Sequence, residues 1–273
     1  SVVSGSALYV AVEEDGGGEN SISAKVEDLK DTGYVTPKEM GQNMTANQIY
    51  ESGKTIAGEL TKIGINLNLA PVADLASDQN PSYAMRCLGS DADGVADLLD
   101  DFVSGMREGG LSVTLKTFPG IGNVSESIAE NTDSLMTIRD TNFVPYASGI
   151  QAGADCVMVS NAAYSKLTVK KVPAFMSQDI VTKLLREELG FDGIVMTSPL
   201  NDNVIENNYT NEFAVVEAVK AGCDLIVLPG NFKECYEALI TAVEEGRIDE
   251  KVINTSVRRI LQNKIQRGIL VLE

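Results

Sequence analysis

Ser177-Gln-Asp-Ile-Val-Thr-Lys-Leu-Leu-Arg-Glu-Glu-Leu-Gly-Phe-Asp-Gly-Ile-Val-Met-Thr-Ser198 holds one complete helix-then-strand unit. Ile180, Val181, Leu184 and Leu185 recur at helical spacing, which predicts a helix over 177–189 with one apolar face. Ser177 is the expected N-cap and Gly190 the expected stop. A short unbroken apolar run follows at 193–198, as a strand buried on both faces of a parallel sheet requires. The same alternation extends outward in both directions. Strands are expected at 7–13, 65–74, 112–118, 156–160 and 224–229, and helices at 46–63, 92–109, 142–152 and 212–221, with a final pair after Gly230. Such repetition gives either an open doubly wound sheet or a (β/α) barrel. Each apolar run closes on a polar or turn-forming cluster, among them Glu13-Glu-Asp-Gly-Gly-Gly18 and the stretches 71–74 and 116–122. A barrel collects its functional groups on the loops after the strands, so the expected fold is α/β, a TIM-type (β/α) barrel, with 1–273 as a single domain. Six βα units are recognisable, against the eight of a complete barrel.

Composition removes several chemistries. The chain has 273 residues, no histidine and no tryptophan. Histidine is the usual general base near neutral pH and the commonest metal ligand, so Ser-His-Asp, Cys-His and His-zinc sites are excluded. The 39 acidic and 22 basic side chains leave a net charge of −17, which repels phosphate backbones; no nucleic-acid partner is expected. No apolar run approaches the roughly 18 residues needed to span a bilayer, and Ser1 to Ser6 carry no signal-peptide pattern. Cys87, Cys156, Cys223 and Cys235 form no CxxC pair and read as small buried hydrophobes rather than metal ligands. No GxGxxG follows the first strand, which disfavours a dinucleotide site. No cofactor or metal is expected.

Several stretches resemble glycoside hydrolase family 3, in its bacterial β-N-acetylglucosaminidase branch. Val10-Ala-Val-Glu-Glu-Asp-Gly-Gly17 is similar to the family's "VDxEGG" strand end, and Gly64-Ile-Asn-Leu-Asn-Leu-Ala-Pro-Val-Ala-Asp74 to "GINxNFAPVxD". Arg86-Cys-Leu-Gly-Ser-Asp91 resembles "RSFGSD", and Lys116-Thr-Phe-Pro-Gly-Ile-Gly122 resembles "KHFPGHG". The opening stretch resembles the family's run-up to its nucleophile. Residues 242–248 and 256–261 are similar to its last helical region. The matches run in order from about residue 7 to the C-terminus. In the family, two βα units precede the "VDxEGG" strand, whereas only six residues precede Ala7. The resemblance therefore implies a barrel lacking its first two units here. Self-association or a missing N-terminal segment would cover the open edges, which invite pairing.

The resemblance also locates the chemistry. Retaining glycosidases need two carboxyl groups roughly 5 Å apart; this branch pairs an Asp nucleophile with an Asp–His couple on a loop. Ser198 stands at the nucleophile position, and Ser127 and Ala129 stand at the couple. Thr117 and Ile121 replace two further histidines, and Gly18 stands where an Arg is expected. A hydroxyl without an adjacent base is a poor nucleophile. Arg86, Lys116 and Glu13 match groups that hold the sugar, and these three are the expected binding residues. Each also has a structural reading: a loop ion pair for Arg86, a carboxylate clamp for Lys116, a solvated strand end for Glu13. Asp74 is expected to orient a loop. Asp202, Glu126, Glu130 and Asp133 are the acids near the lost positions. Three functions follow: a degenerate sugar- or protein-binding module, an active hydrolase with relocated acids, or a structural spacer. The expected partner is a sugar or peptidoglycan fragment, with a lean towards the bacterial cell envelope.

Overall fold

In the computed structural model, which describes residues 7–15, 22, 35–124 and 130–271, the strands in chain order are β1 Ala11–Val12, β2 Leu67–Asn68, β3 Ser112–Phe118, β4 Glu130–Asn131, β5 Cys156–Val159, β6 Ala163–Tyr164 and β7 Ile194–Thr197. β1, β2, β3, β5 and β7 form one parallel sheet in that order, and Leu225 extends it beside Met196. β4 and β6 form a separate two-strand ladder. Sequential parallel strands joined through helices are the progression of a TIM-type barrel.

The strand side chains explain why the runs read as continuously apolar. Cys156, Met158, Ile194 and Met196 join Leu67 in a small cluster that also touches Tyr9, Leu225 and Ile260. Their neighbours Val157, Val159 and Val195 belong to the large core between sheet and helices. Alternate residues thus face two apolar layers. The helices Ala46–Lys62 and Ala92–Glu108 pack so closely that a β-carbon on Gly105 would lie 2.1 Å from the Tyr50 carbonyl oxygen. Only glycine permits that approach. Thr45 and Gln48 close a capping box on the first helix, and Asp91 caps the second.

Four expected elements differ in detail. β1 and β2 are short because side chains replace part of the ladder: Val10 N–H donates to Asn66 Oδ1 at 2.9 Å, and Glu14 N–H donates to Asn68 Oδ1 at 2.9 Å. Pro71 then supplies no N–H, and the run resumes only as a bridge from Val72 to Lys116. The strand expected at 224–229 reduces to the Leu225 bridge. There the Thr197 hydroxyl accepts from Val227 N–H at 3.1 Å in place of a carbonyl, and Leu228 turns to a φ of 45°. The helix expected at 177–189 buries Ile180, Val181, Leu184 and Leu185 as read, over Asp179–Glu188. It is wound wide, however, with Leu189 N–H donating to the Leu184 carbonyl five residues back. Ser177 ends the preceding turn Ala174–Met176, so its hydroxyl does not cap the helix.

The ends of the strands opposite their loops are held by buried ions. Asp155 accepts from Val113 N–H, Asn263 Nδ2 and Arg267. Asp224 pairs with Arg186 at 2.6 Å and Arg259 at 3.2 Å and accepts from Val195 N–H. The last helix, Glu250–Gln266, therefore laces the start of β5 to the start of the Leu225 segment. The four cysteines are free and buried. Among the described residues no helix is long and apolar enough to cross a membrane.

Candidate functional site

Glu13 directly follows β1, Lys116 lies near the end of β3, Ser160 and Asn161 follow β5, and Ser198 follows β7. Because the strands are parallel and adjacent, these positions meet at one end of the sheet. They line a cavity of about 430 Å³ together with Tyr83, Arg86, Thr117, Ile121 and Asp202.

Arg86 reaches the cavity from the loop after β2. The short helix Pro81–Ala84 positions it, capped by Asn80, whose amide nitrogen donates to the Val124 carbonyl at 3.0 Å. The Arg86 guanidinium lies over the Tyr83 ring, 5.7 Å from its centre. Tyr83 in turn donates its hydroxyl to Asp74 at 2.8 Å. Asp74 is fully buried and accepts four donors in all, the others being Thr117 N–H, Ile121 N–H and the Tyr146 hydroxyl. Burial pushes its carboxyl up while these hydrogen bonds pull it down. Asp74 thus organises the loop after β3 from behind the cavity and is not among the residues lining it.

The three residues expected to bind are brought together and pair with one another. Lys116 Nζ donates to Glu13 Oε1 at 2.5 Å and lies 3.2 Å from Asp15 Oδ1. Arg86 donates to the same Glu13 oxygen and, through Nε, to Asp15 Oδ2 at 2.7 Å. Two cations therefore face two carboxylates. The structural readings of Arg86 and Lys116 as ion-pair partners hold, and both still line the cavity. Asp15 is the member the sequence reading did not assign. Its spacing of two residues from Glu13 beyond a strand end is the local signal for it.

The electrostatics give a test. Burial opposes the charge on Glu13, yet Lys116 and Arg86 outweigh it and hold its carboxyl at about 2, below the ordinary 4.5. A carboxyl lowered by folding adds stability that is present above its unfolded value and lost as pH falls through its folded one. The window therefore runs from about pH 4.5 down to about 2. Glu13→Gln should melt below the wild type at pH 6, and the gap should close as pH approaches 2. With 52% of the Glu13 side chain exposed, the gap at pH 6 should stay within about 1 kcal/mol. Melting curves with a pH-independent gap would contradict the assignment.

Ser198 is buried but lines the cavity. Its N–H donates to the Val159 carbonyl, and among the described residues no side chain is hydrogen-bonded to its hydroxyl. Of the acids near the lost positions, Asp202 lines the cavity, where it also caps the helix Asn203–Glu206. Glu130 pairs with Lys171, and Asp133 accepts from Asn123, away from that lining. Ser127, Ala129, Glu126 and Gly18 lie outside the described residues.

A family model described as the glycosyl hydrolase family 3 N-terminal domain matches residues 8–263. A β-hexosaminidase of Xylella fastidiosa (strain M23) is 32% identical over 183 residues, covering 66% of this chain and 54% of its own. A β-N-acetylglucosaminidase/β-glucosidase of Cellulomonas fimi is 28% identical over 269 residues, covering 91% of this chain and 48% of its own. The solved structure of a glycoside hydrolase family 3 β-N-acetylglucosaminidase from Paenibacillus sp. str. FPU-7 superposes with a TM-score of 0.87 at 31% identity, covering 97% of this chain and 52% of that one. The chain thus spans about half the length of these relatives.

Proposed function

The chain belongs to glycosyl hydrolase family 3, and from that premise we propose that it is a sugar-binding domain of the N-acetylglucosamine-processing kind that lacks the family's hydrolytic groups. One observation carries the reading: Glu13 and Lys116 from two strand ends and Arg86 from the loop after β2 share one cavity with Ser198. A sugar hydroxyl both donates and accepts, so it can accept from Arg86 or Lys116 while donating to Glu13. Hydrolysis needs a nucleophile and an acid/base, and among the described residues no side chain is hydrogen-bonded to the hydroxyl at position 198 to activate it. The relatives' names supply the ligand class, an N-acetylglucosamine unit, which we extend to one within a peptidoglycan fragment.

A second reading has one observation in its favour. Asp202 lines the same cavity, so a relocated acid is the alternative that the turnover assay in the Discussion addresses.

The binding reading is tested by calorimetry with N-acetylglucosamine and short peptidoglycan fragments. A charge-assisted hydrogen bond contributes about 1.5–3 kcal/mol, and each 1.4 kcal/mol is tenfold in affinity. Arg86→Ala should therefore weaken binding by roughly ten- to a hundredfold. Lys116 is buried against Asp15, so Lys116→Ala is read only on protein shown to be folded. Undetectable binding to the wild type across all these sugars would remove the reading and leave a structural role.

A further inference from the structure

Resting on the carbohydrate reading, we infer that the cavity selects against sugars that carry a carboxylate, and that Glu13 sets this selectivity as a built-in counter-ion. Among the described residues, both cations at the cavity are already matched. Lys116 is held by Glu13 and Asp15, and Arg86 by the same two carboxylates. Among the described residues the other charged side chain lining the cavity is the acidic Asp202. An arriving carboxylate can only accept hydrogen bonds. It would have to approach Arg86 and Lys116 beside the Glu13 oxygen that both of them bond, where like charges repel. A neutral hydroxyl meets no such conflict, because it can donate to Glu13 while accepting from either cation.

Position explains why Glu13, rather than Asp15, decides. Half of the Glu13 side chain is exposed, whereas Asp15 is buried behind the pair and is absent from the cavity lining. Asp15 keeps Arg86 and Lys116 in place, and Glu13 occupies the side from which a ligand anion would reach them. Removing the Glu13 charge while keeping its shape leaves two cations facing one buried carboxylate, which makes the cavity a receptor for an anion.

The test compares N-acetylglucosamine with N-acetylglucosaminuronic acid, its analogue oxidised to a carboxylate at C6, by calorimetry at pH 7 and 0.15 M salt. That ionic strength screens charges beyond about 8 Å, so the overall charge of −17 contributes little. The wild type should bind the uronic acid at least about tenfold more weakly than the neutral sugar. Glu13→Gln should tighten uronic acid binding at least about tenfold while weakening neutral-sugar binding, which loses its charged acceptor. Glu51→Gln, an exposed charge on the helix Ala46–Lys62, should change neither. Equal wild-type affinity for the two sugars, a folded Glu13→Gln without the gain, or the same gain in Glu51→Gln would each overturn the inference while leaving sugar binding intact. Should Glu13→Gln not fold, the wild-type comparison alone decides. Failure of every sugar to bind is a different result, which removes the carbohydrate reading and this inference with it.

Discussion

Asp155→Ala should cost the fold about 3–5 kcal/mol, the loss expected when one partner of a buried ion pair is removed. The Asp155 side chain is 5% exposed and sits just before β5. It accepts from Val113 N–H at 3.0 Å, Asn263 Nδ2 at 2.9 Å and two nitrogens of Arg267 at 2.8 and 2.6 Å. Alanine would leave the Arg267 guanidinium nearly buried without its counter-ion and release the last helix from β3 and β5. A domain of this size has about 5–15 kcal/mol in total, so the loss is a large fraction of it. Asp155→Asn keeps the volume but only one of the two acceptor oxygens, and its loss should fall between zero and that of the alanine variant. Urea unfolding at pH 7 measures the difference; a loss below about 1 kcal/mol for the alanine variant would show that the lacing of the strand ends carries little energy.

The second large effect concerns turnover. Hydrolysis of an aryl N-acetyl-β-glucosaminide by the wild type should be indistinguishable from the no-enzyme control. General acid–base catalysis alone contributes about 10²–10⁴ in rate, and a serine hydroxyl with no side chain hydrogen-bonded to it among the described residues is a poor replacement for the nucleophile. On the proposed reading, Ser198→Asp should fail to restore activity by itself, because Ser127 and Ala129 stand at the positions of the acid/base couple. Turnover that survives repurification and disappears in Asp202→Asn would overturn this expectation in favour of a relocated acid.

Much of the architecture was legible because its determinants are local. The helices at Ala46–Lys62, Ala92–Glu108 and Asn211–Ala221 begin at Thr45, Asp91 and Thr210, residues whose side chains accept the first free N–H groups. The apolar runs of β3, β5 and β7 carry their burial in their composition. What misled was side-chain substitution for backbone: Asn66, Asn68 and the Thr197 hydroxyl take ladder positions. Nothing in hydrophobic periodicity marks such a side chain as part of a sheet.

The sequence by itself therefore determined the succession of βα units, the family, and the residue types at Glu13, Arg86, Lys116 and Ser198. Each of these follows from neighbouring residues or from a contiguous motif. Only the tertiary structure decided that Arg86 meets Asp15 across 71 residues and that Lys116 meets Glu13 across 103. It likewise decided that Asp155 waits for Arg267, 112 residues on. Charge pairing acts through space and leaves no period along the chain, so these partners become visible only when parallel strands bring their ends together.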